Sequence, residues 1–203
     1  QEGHPSVTTP VRNRHTTRLP GYDYTQPGGY YVTIVTRGRD PVLGAVVDGV
    51  VVLATPGVIV QKAWRSLPHH FANVVLDEFV IMPNHVHGIV MITDGIRVKP
   101  NMMDGNCRGE ASGMGCVGST VTPFPDASPL PHGTQRGSFG AILQNFKSIS
   151  ARRINAMQNT PGQPFWQRNY YEHVIRNETD LQTIRQYIHD NPSKWEFDEE
   201  NQP

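Results

Sequence analysis

Cysteine is nearly absent: two occur in 203 residues, Cys107 and Cys116. Two are too few, and wrongly spaced, for a disulfide framework or a zinc knuckle. No apolar run approaches the ~20 residues that a membrane-spanning helix needs. Nor does the chain open on the basic-then-apolar pattern of a secretory leader. No membrane partner is expected, and a reducing cytoplasm is the expected location. Net charge is also lacking. Lys+Arg number 18 and Asp+Glu 18, so the total carries no sign of a polyanionic partner. Its distribution is more informative. Arg12, Arg14, Arg18, Arg37 and Arg39 crowd the first part of the chain, while Glu196, Asp198, Glu199 and Glu200 crowd the end. That asymmetry is a weak pointer to a side facing a polyanion.

The length fits one domain with elaborations. Residues 1–20 are polar, basic and proline-containing, and read as a flexible arm, either solvated or touching nucleic acid. Residues 21–195 carry the periodic segments. They are interrupted at 98–136 by a Gly/Pro/Ser-rich stretch with no apolar period, which reads as a long irregular insertion. Residues 196–203 form an acidic tail.

The most informative stretch is IMPNHVHGIVMI, residues 81–92. Apolar residues on both sides of a Met82-Pro83-Asn84 turn read as two antiparallel strands, 73–82 and the strand that follows. His85 and His87 lie two apart in the second. Alternate strand residues share a face, so the two imidazoles point the same way. They can converge on one ion, or form two hydrogen-bonded side chains beside a turn.

Six further elements flank this pair. YYVTIVT (30–36) reads as a first strand, and Asp48-Gly49 joins two apolar runs in a hairpin over 43–53. A helix is expected from Thr55, as N-cap, to about Ser66, with Val60, Trp64 and Leu67 buried and Pro68 ending it. A helix over 138–155 places Phe139, Ile142, Phe146 and Ile149 on one face. Its Lys147, Arg152 and Arg153 either meet solvent or present charge to a nucleic-acid backbone. PFWQRNYYEHVIRN (164–177) ends in a strand-like VIR, and its Trp166, Tyr170 and Tyr171 either pack or stack on bases. The last helix, 178–191, buries Leu181, Ile184 and Ile188 and is stopped by Pro192. Tyr187 borders that stripe, and Asn191 sits one turn further on and ~40° around, so both can face one site. Proline disfavours αR in the residue before it, so the helix is expected to unwind at Asn191.

MPNHVHGIV, FKSISARRIN and FWQRNYYEHVIRNETDLQTIRQYIHDNP, in that order, resemble the HUH-type single-strand tyrosine transposases, and most closely their REP-associated branch. RLPGYDYTQPGGYYVTIVT is similar to that branch's opening. The resemblance spans nearly the whole chain outside the insertion. It implies an α+β fold, an antiparallel sheet backed by helices of the ferredoxin/RRM-like type. It also implies a divalent metal, Mg²⁺ or Mn²⁺, held by His85 and His87. Asn191 matches the position of the third protein ligand, which is often Gln in relatives. Tyr187 matches the nucleophile. The implied activity is cleavage and rejoining of single-stranded DNA at hairpins or palindromic repeats, through a 5′-phosphotyrosine. Single-stranded or hairpin DNA is the implied partner, a homodimer the possible assembly, and the bacterial nucleoid the place of action.

Within that reading Lys147, Arg152, Arg153 and Arg168 are the candidates for phosphate contacts, and Tyr170 and Tyr171 for stacking. His173 is expected to pair with a nearby acid. Three rivals stand beside it. The first is a domesticated, non-catalytic binder of hairpin DNA or RNA. The second is a histidine-triad hydrolase, which would need a histidine where Ile89 stands. The third is Tyr171 as nucleophile in place of Tyr187.

Overall fold

The computed structural model describes residues 19, 21–94, 135–198 and 201. The expected N-terminal arm lies outside the described residues apart from Leu19, and the expected insertion apart from Gln135 and Arg136. Of the acidic tail, residues 196–198 and 201 are described.

Four strands build one antiparallel sheet in the order β4-β5-β1-β6. They are β1 (Gly28–Val35), β4 (Val74–Ile81), β5 (His85–Ile92) and β6 (Tyr171–Ile175). Apart from the β4–β5 hairpin, strands of this sheet that are consecutive in the chain are separated in space by one other strand. β1 reaches β4 across the position that β5 fills, and β5 reaches β6 across β1, which makes two split βαβ units of the ferredoxin-like kind. The central strands are Val/Ile-rich because helices cover both of their faces. A small separate ribbon pairs β2 (Gly44–Val47) with β3 (Val50–Leu53). Its two-residue turn holds Asp48 at φ 50° and Gly49 at φ 73°. Both are left-handed, as a hairpin matched to strand twist requires.

One face of the sheet carries α1 (Thr55–Arg65), the short α2 (Leu67–His70) and α3 (Phe139–Gln158). Here lies the main core, with Tyr30, Val32, Ile34, Trp64, Val86, Val90, Ile142 and Phe146 buried. Gly88 makes this packing possible: a Cβ at that position would overlap the Trp64 indole. Ser138 caps α3 by accepting from Ala141 N, and Asn159 ends it in the left-handed region.

The opposite face carries α4 (Glu178–Asp190), which continues into a C-terminal 3-10 helix (Asn191–Phe197). Leu181 and Ile188 pack on Tyr31 and Ile89 in a second, smaller cluster. Asn177 caps α4 by accepting from Asp180 N at 2.8 Å. Glu178 and Asp180 complement the positive end of the helix dipole.

Three local expectations need correction. The residue capping α1 is Ala54, with no side-chain bond, and Thr55 is already helical. Pro68 does not end helical structure but sits in the first turn of α2, where its missing N–H costs nothing. Asn191 is not unwound: it holds φ −56°, ψ −43°. Pro192 opens the next helix, so the helical conformation continues through the pre-proline residue.

Candidate active site

The site is built on strand register. β1 and β5 pair so that Thr33 faces His87 and Tyr31 faces Ile89, and β1 and β6 pair so that Tyr31 faces His173 and Thr33 faces Tyr171. Directly opposed residues share a face, so His85, His87, Tyr31, Thr33, Tyr171 and His173 all project toward α4.

His85 and His87 are both buried, and their Nε2 atoms lie 2.9 Å apart. Burial strips water from the imidazoles and pushes both down to about 3, with the Arg39 charge adding for His85 and the mutual proximity of the rings adding for His87. Both are therefore neutral near pH 7, the form that offers a lone pair to a metal. The carboxylate of Asp198 stands 3.9 Å from His85 Nε2. With His85 neutral, that contact is not an ion pair. Ligand atoms of His85, His87 and Asp198 all lie within 4.8 Å of one another.

Neighbouring groups dictate the ring protons. Asn84 Nδ2 donates to Arg39 O at 3.0 Å, which turns Asn84 Oδ1 toward His85 Nδ1 at 2.8 Å. His85 Nδ1 must then be the donor, leaving Nε2 with its lone pair. His87 Nδ1 meets the Tyr31 hydroxyl at 2.8 Å and Thr33 Oγ1 at 2.9 Å, and Thr33 donates to Tyr31 at 3.1 Å. A hydroxyl can donate or accept, so His87 can keep a proton on Nε2 for His85. It can equally move that proton to Nδ1 and leave both Nε2 atoms as lone pairs toward one ion.

Tyr187 is half-exposed at the edge of the buried stripe of α4, with its ring 5.2 Å from that of His87 and 6.3 Å from that of Tyr31. It lines a cleft of about 1020 Å³ together with His87, Tyr171, His173, Asn191 and Asp198. Asn191 is buried, and its Oδ1 has no hydrogen-bond partner among the described residues. An orphaned buried carbonyl oxygen is costly in isolation and suits a cation. The donor set thus fits a divalent ion: two neutral imidazoles, a carboxylate, and an amide oxygen in the same cleft.

Polar contacts fix α4 from both edges of the sheet. Arg185 donates twice to Asp77 of β4, Nε to Oδ1 at 2.8 Å and Nη2 to Oδ2 at 2.6 Å. Asp77 sits where the β4–β5 register shifts between Leu76 and Phe79, and such an irregularity re-aims a side chain. On the other edge His173 of β6 lies 2.9 Å from Asp180, the acidic partner expected for it.

Among the sequence candidates for DNA contact, Arg152, Arg153 and Arg168 are exposed. Lys147 is turned inward. Its ammonium donates to the carbonyls of Gln167 and Arg168 at 2.7 and 3.0 Å, and burial pushes it down to about 8. It also lies over the Tyr170 ring at 5.6 Å. Tyr170 packs against the main core, whereas Tyr171 is exposed. Tyr31, Thr33, Asp77, Arg185 and Asp198 carry no signal in the sequence that ties them to the site.

An antiparallel sheet with a His-x-His pair on a central strand and a tyrosine-bearing helix across it defines the HUH-type transposase fold. A REP-associated tyrosine transposase bound to a REP hairpin shares it, with a TM-score of 0.53, 16% identity, and coverage of 88% of this chain and 74% of that one. A family model described as IS200-like transposase matches residues 133–191. An uncharacterized protein of Haemophilus influenzae is 32% identical over 190 residues, 93% of each chain. The chain belongs to the IS200-like transposase family. No helix among the described residues is long and apolar enough to cross a membrane.

Proposed function

We propose that this protein is a metal-dependent, single-strand DNA transposase that cuts and rejoins hairpin or palindromic DNA, with Tyr187 as nucleophile. The observation that carries the reading is the 5.2 Å approach of the Tyr187 ring to His87, which lines the same cleft and meets His85 behind it at 2.9 Å. Tyr171 is the weaker candidate, because its ring meets Tyr31 at 6.2 Å and not a histidine.

His85 and His87 would hold a divalent ion, with Asp198 and Asn191 as the oxygen donors beside them. When bound, the ion supplies positive charge for the scissile phosphate oxygens. Mixed nitrogen and oxygen donors suit Mn²⁺ or Mg²⁺. Asn84 fixes the His85 proton on Nδ1 and leaves its Nε2 lone pair for the ion, and the Tyr31 and Thr33 hydroxyls can accept from His87 Nδ1 so that its Nε2 does the same.

The reaction is a transesterification. The Tyr187 hydroxyl oxygen attacks phosphorus, a tyrosine–phosphorus ester forms, and the bond from phosphorus to the 3′ oxygen breaks. The phenolic proton is lost and the departing 3′ oxygen gains one, which leaves a free 3′-hydroxyl and a 5′-phosphotyrosine. The ester keeps the energy of the broken bond, so a second strand can be joined without ATP. Arg152, Arg153 and Arg168 contact phosphates. Lys147 supports them by holding the Gln167–Arg168 backbone, and Tyr170 and Tyr171 lie beside the path of the strand. The site acts in the bacterial cytoplasm, where its DNA is.

The test is a labelled hairpin oligonucleotide incubated with Mn²⁺ or Mg²⁺, denatured and run on a gel. Wild type gives a protein band carrying the downstream fragment. Tyr187→Phe removes one oxygen, keeps DNA binding and gives no adduct. A Tyr187→Phe adduct that Tyr171→Phe lacks would show the wrong tyrosine was named. Cleavage without any adduct makes the chemistry hydrolytic. Tight hairpin binding without cleavage by wild type favours a domesticated binder.

A further inference from the structure

Among the described residues three aromatic side chains are exposed, Phe197 at 85%, Tyr171 at 51% and Tyr187 at 48%. All three line the same cleft. Every other described Phe, Tyr or Trp ring is at least partly buried, so among the described residues these rings meet water at this cleft alone. Tyr187 has a chemical reason to be there. Phe197 has none of its own, since a phenyl ring offers neither a nucleophile nor a hydrogen bond. What it offers is a flat apolar face.

Phe197 also has a defined place. It ends the 3-10 helix and immediately precedes Asp198, whose carboxylate lies 3.9 Å from His85. It therefore stands at the end of the cleft where the histidines are. Tyr171 stands on the β6 wall, its ring 6.2 Å from Tyr31. Lys194 of the same 3-10 helix lines the cleft and is exposed, with its ammonium 3.1 Å from Asp190.

We infer that Phe197 is a stacking platform for an unpaired nucleobase beside the scissile phosphate, on the side of the histidine pair, opposite a second base on Tyr171. The inference rests on the single-strand DNA reading above. Every base has a π-face, so such a platform holds a strand without choosing its sequence. It requires the base to be out of a duplex, and it places the phosphate between two stacked bases, next to Tyr187. The sequence identity of the DNA is left to other contacts.

The test separates base stacking from phosphate contact. The full chain is titrated with two labelled 20-nucleotide strands of equal phosphate count, oligothymidine and an abasic strand, at several salt concentrations. Wild type prefers the strand with bases. Phe197→Ala reduces that preference about 5- to 150-fold, the range expected for one stacked base. Its salt slope and its affinity for the abasic strand are unchanged, since no phosphate contact is lost. Phe197→Trp keeps the preference. The ring is on the surface, so both variants fold, with unchanged melting temperatures. An unchanged preference in Phe197→Ala overturns the assignment while leaving the transposase reading intact. Full competition by thymidine monophosphate at the affinity of the strand overturns it in favour of a small-nucleotide pocket. If wild type binds neither strand at low salt, the single-strand reading itself fails and the platform with it.

Discussion

Arg185 of the tyrosine helix closes a two-bond fork on Asp77, at the irregular point of the edge strand β4. The Arg185 guanidinium holds the Asp77 carboxyl below its ordinary range. With the His173–Asp180 contact, it ties one helix to both edges of the sheet, and Tyr187 hangs between them over the central strands.

Asp77→Asn replaces a charged fork with a weaker, singly accepting contact. The expected cost is about 1–3 kcal/mol by urea denaturation. A larger effect is expected in single-turnover adduct formation, with single-strand affinity retained, because the loss bears on where Tyr187 stands and not on what holds the strand. If adduct formation and affinity fall together, the fork serves the fold alone.

Tyr31→Phe with Thr33→Val removes both hydroxyls that meet His87 Nδ1. Groups that set the orientation and tautomer of a metal-binding histidine typically change affinity 10- to 100-fold. Mn²⁺ titration followed by the paramagnetic signal of the free ion should show a loss of about that size. Wild-type affinity in the double variant would mean that His87 does not need its tautomer set.

Acid should destabilise the metal-stripped chain in a defined window. Unfolded, each histidine takes a proton near 6.5, and folded only near 3. Between those values the unfolded state binds more protons. Stability is therefore fully present above about pH 6.5 and falls as pH drops toward 3, by up to about 1.4 kcal/mol per pH unit for each histidine. Denaturant melts at half-unit pH steps in chelator measure the slope. Double replacement by an uncharged residue such as Gln should flatten it.

Both histidines and Tyr187 of a single chain line one site. Mixing Tyr187→Phe protein with His87→Ala protein should then give no adduct, since neither chain holds a complete set. Restored adduct in the mixture would place the tyrosine in a neighbouring copy and support a homodimer.

Much of this site is legible in the sequence. The His85–His87 face follows from strand alternation, and the three-residue link from Ile81 to His85 dictates an antiparallel pair. The Tyr187–Asn191 stripe follows from helical spacing. The rest depended on distances along the chain that periodicity does not reach. Tyr31 and His87 are 56 residues apart, and only the β1–β5 register joins them. Asp77 looks like any polar residue of a strand until the register shift turns it toward α4. Asp198 read as part of an acidic tail because Pro192 looked like a stop. The proline instead opens a 3-10 helix that folds the chain back over His85, whose ring lies 5.9 Å from that of Trp195.

The His-bearing strand has a consequence for how this protein can change. Each face of β5 is chosen by odd or even position: His85, His87 and Ile89 look toward α4, while Val86, Gly88 and Val90 look toward Trp64 and α3. One residue gained or lost between Ile81 and His85, if absorbed by sliding β5 along β1, would exchange the two sets. The imidazoles would enter the apolar core, and the gap that admits Trp64 would open toward the cleft. A single-residue change of length is therefore tolerated there only where the turn itself bulges to absorb it and β5 keeps its register. The quantity the site depends on is the parity of β5 against β1, not the identity of the turn residues.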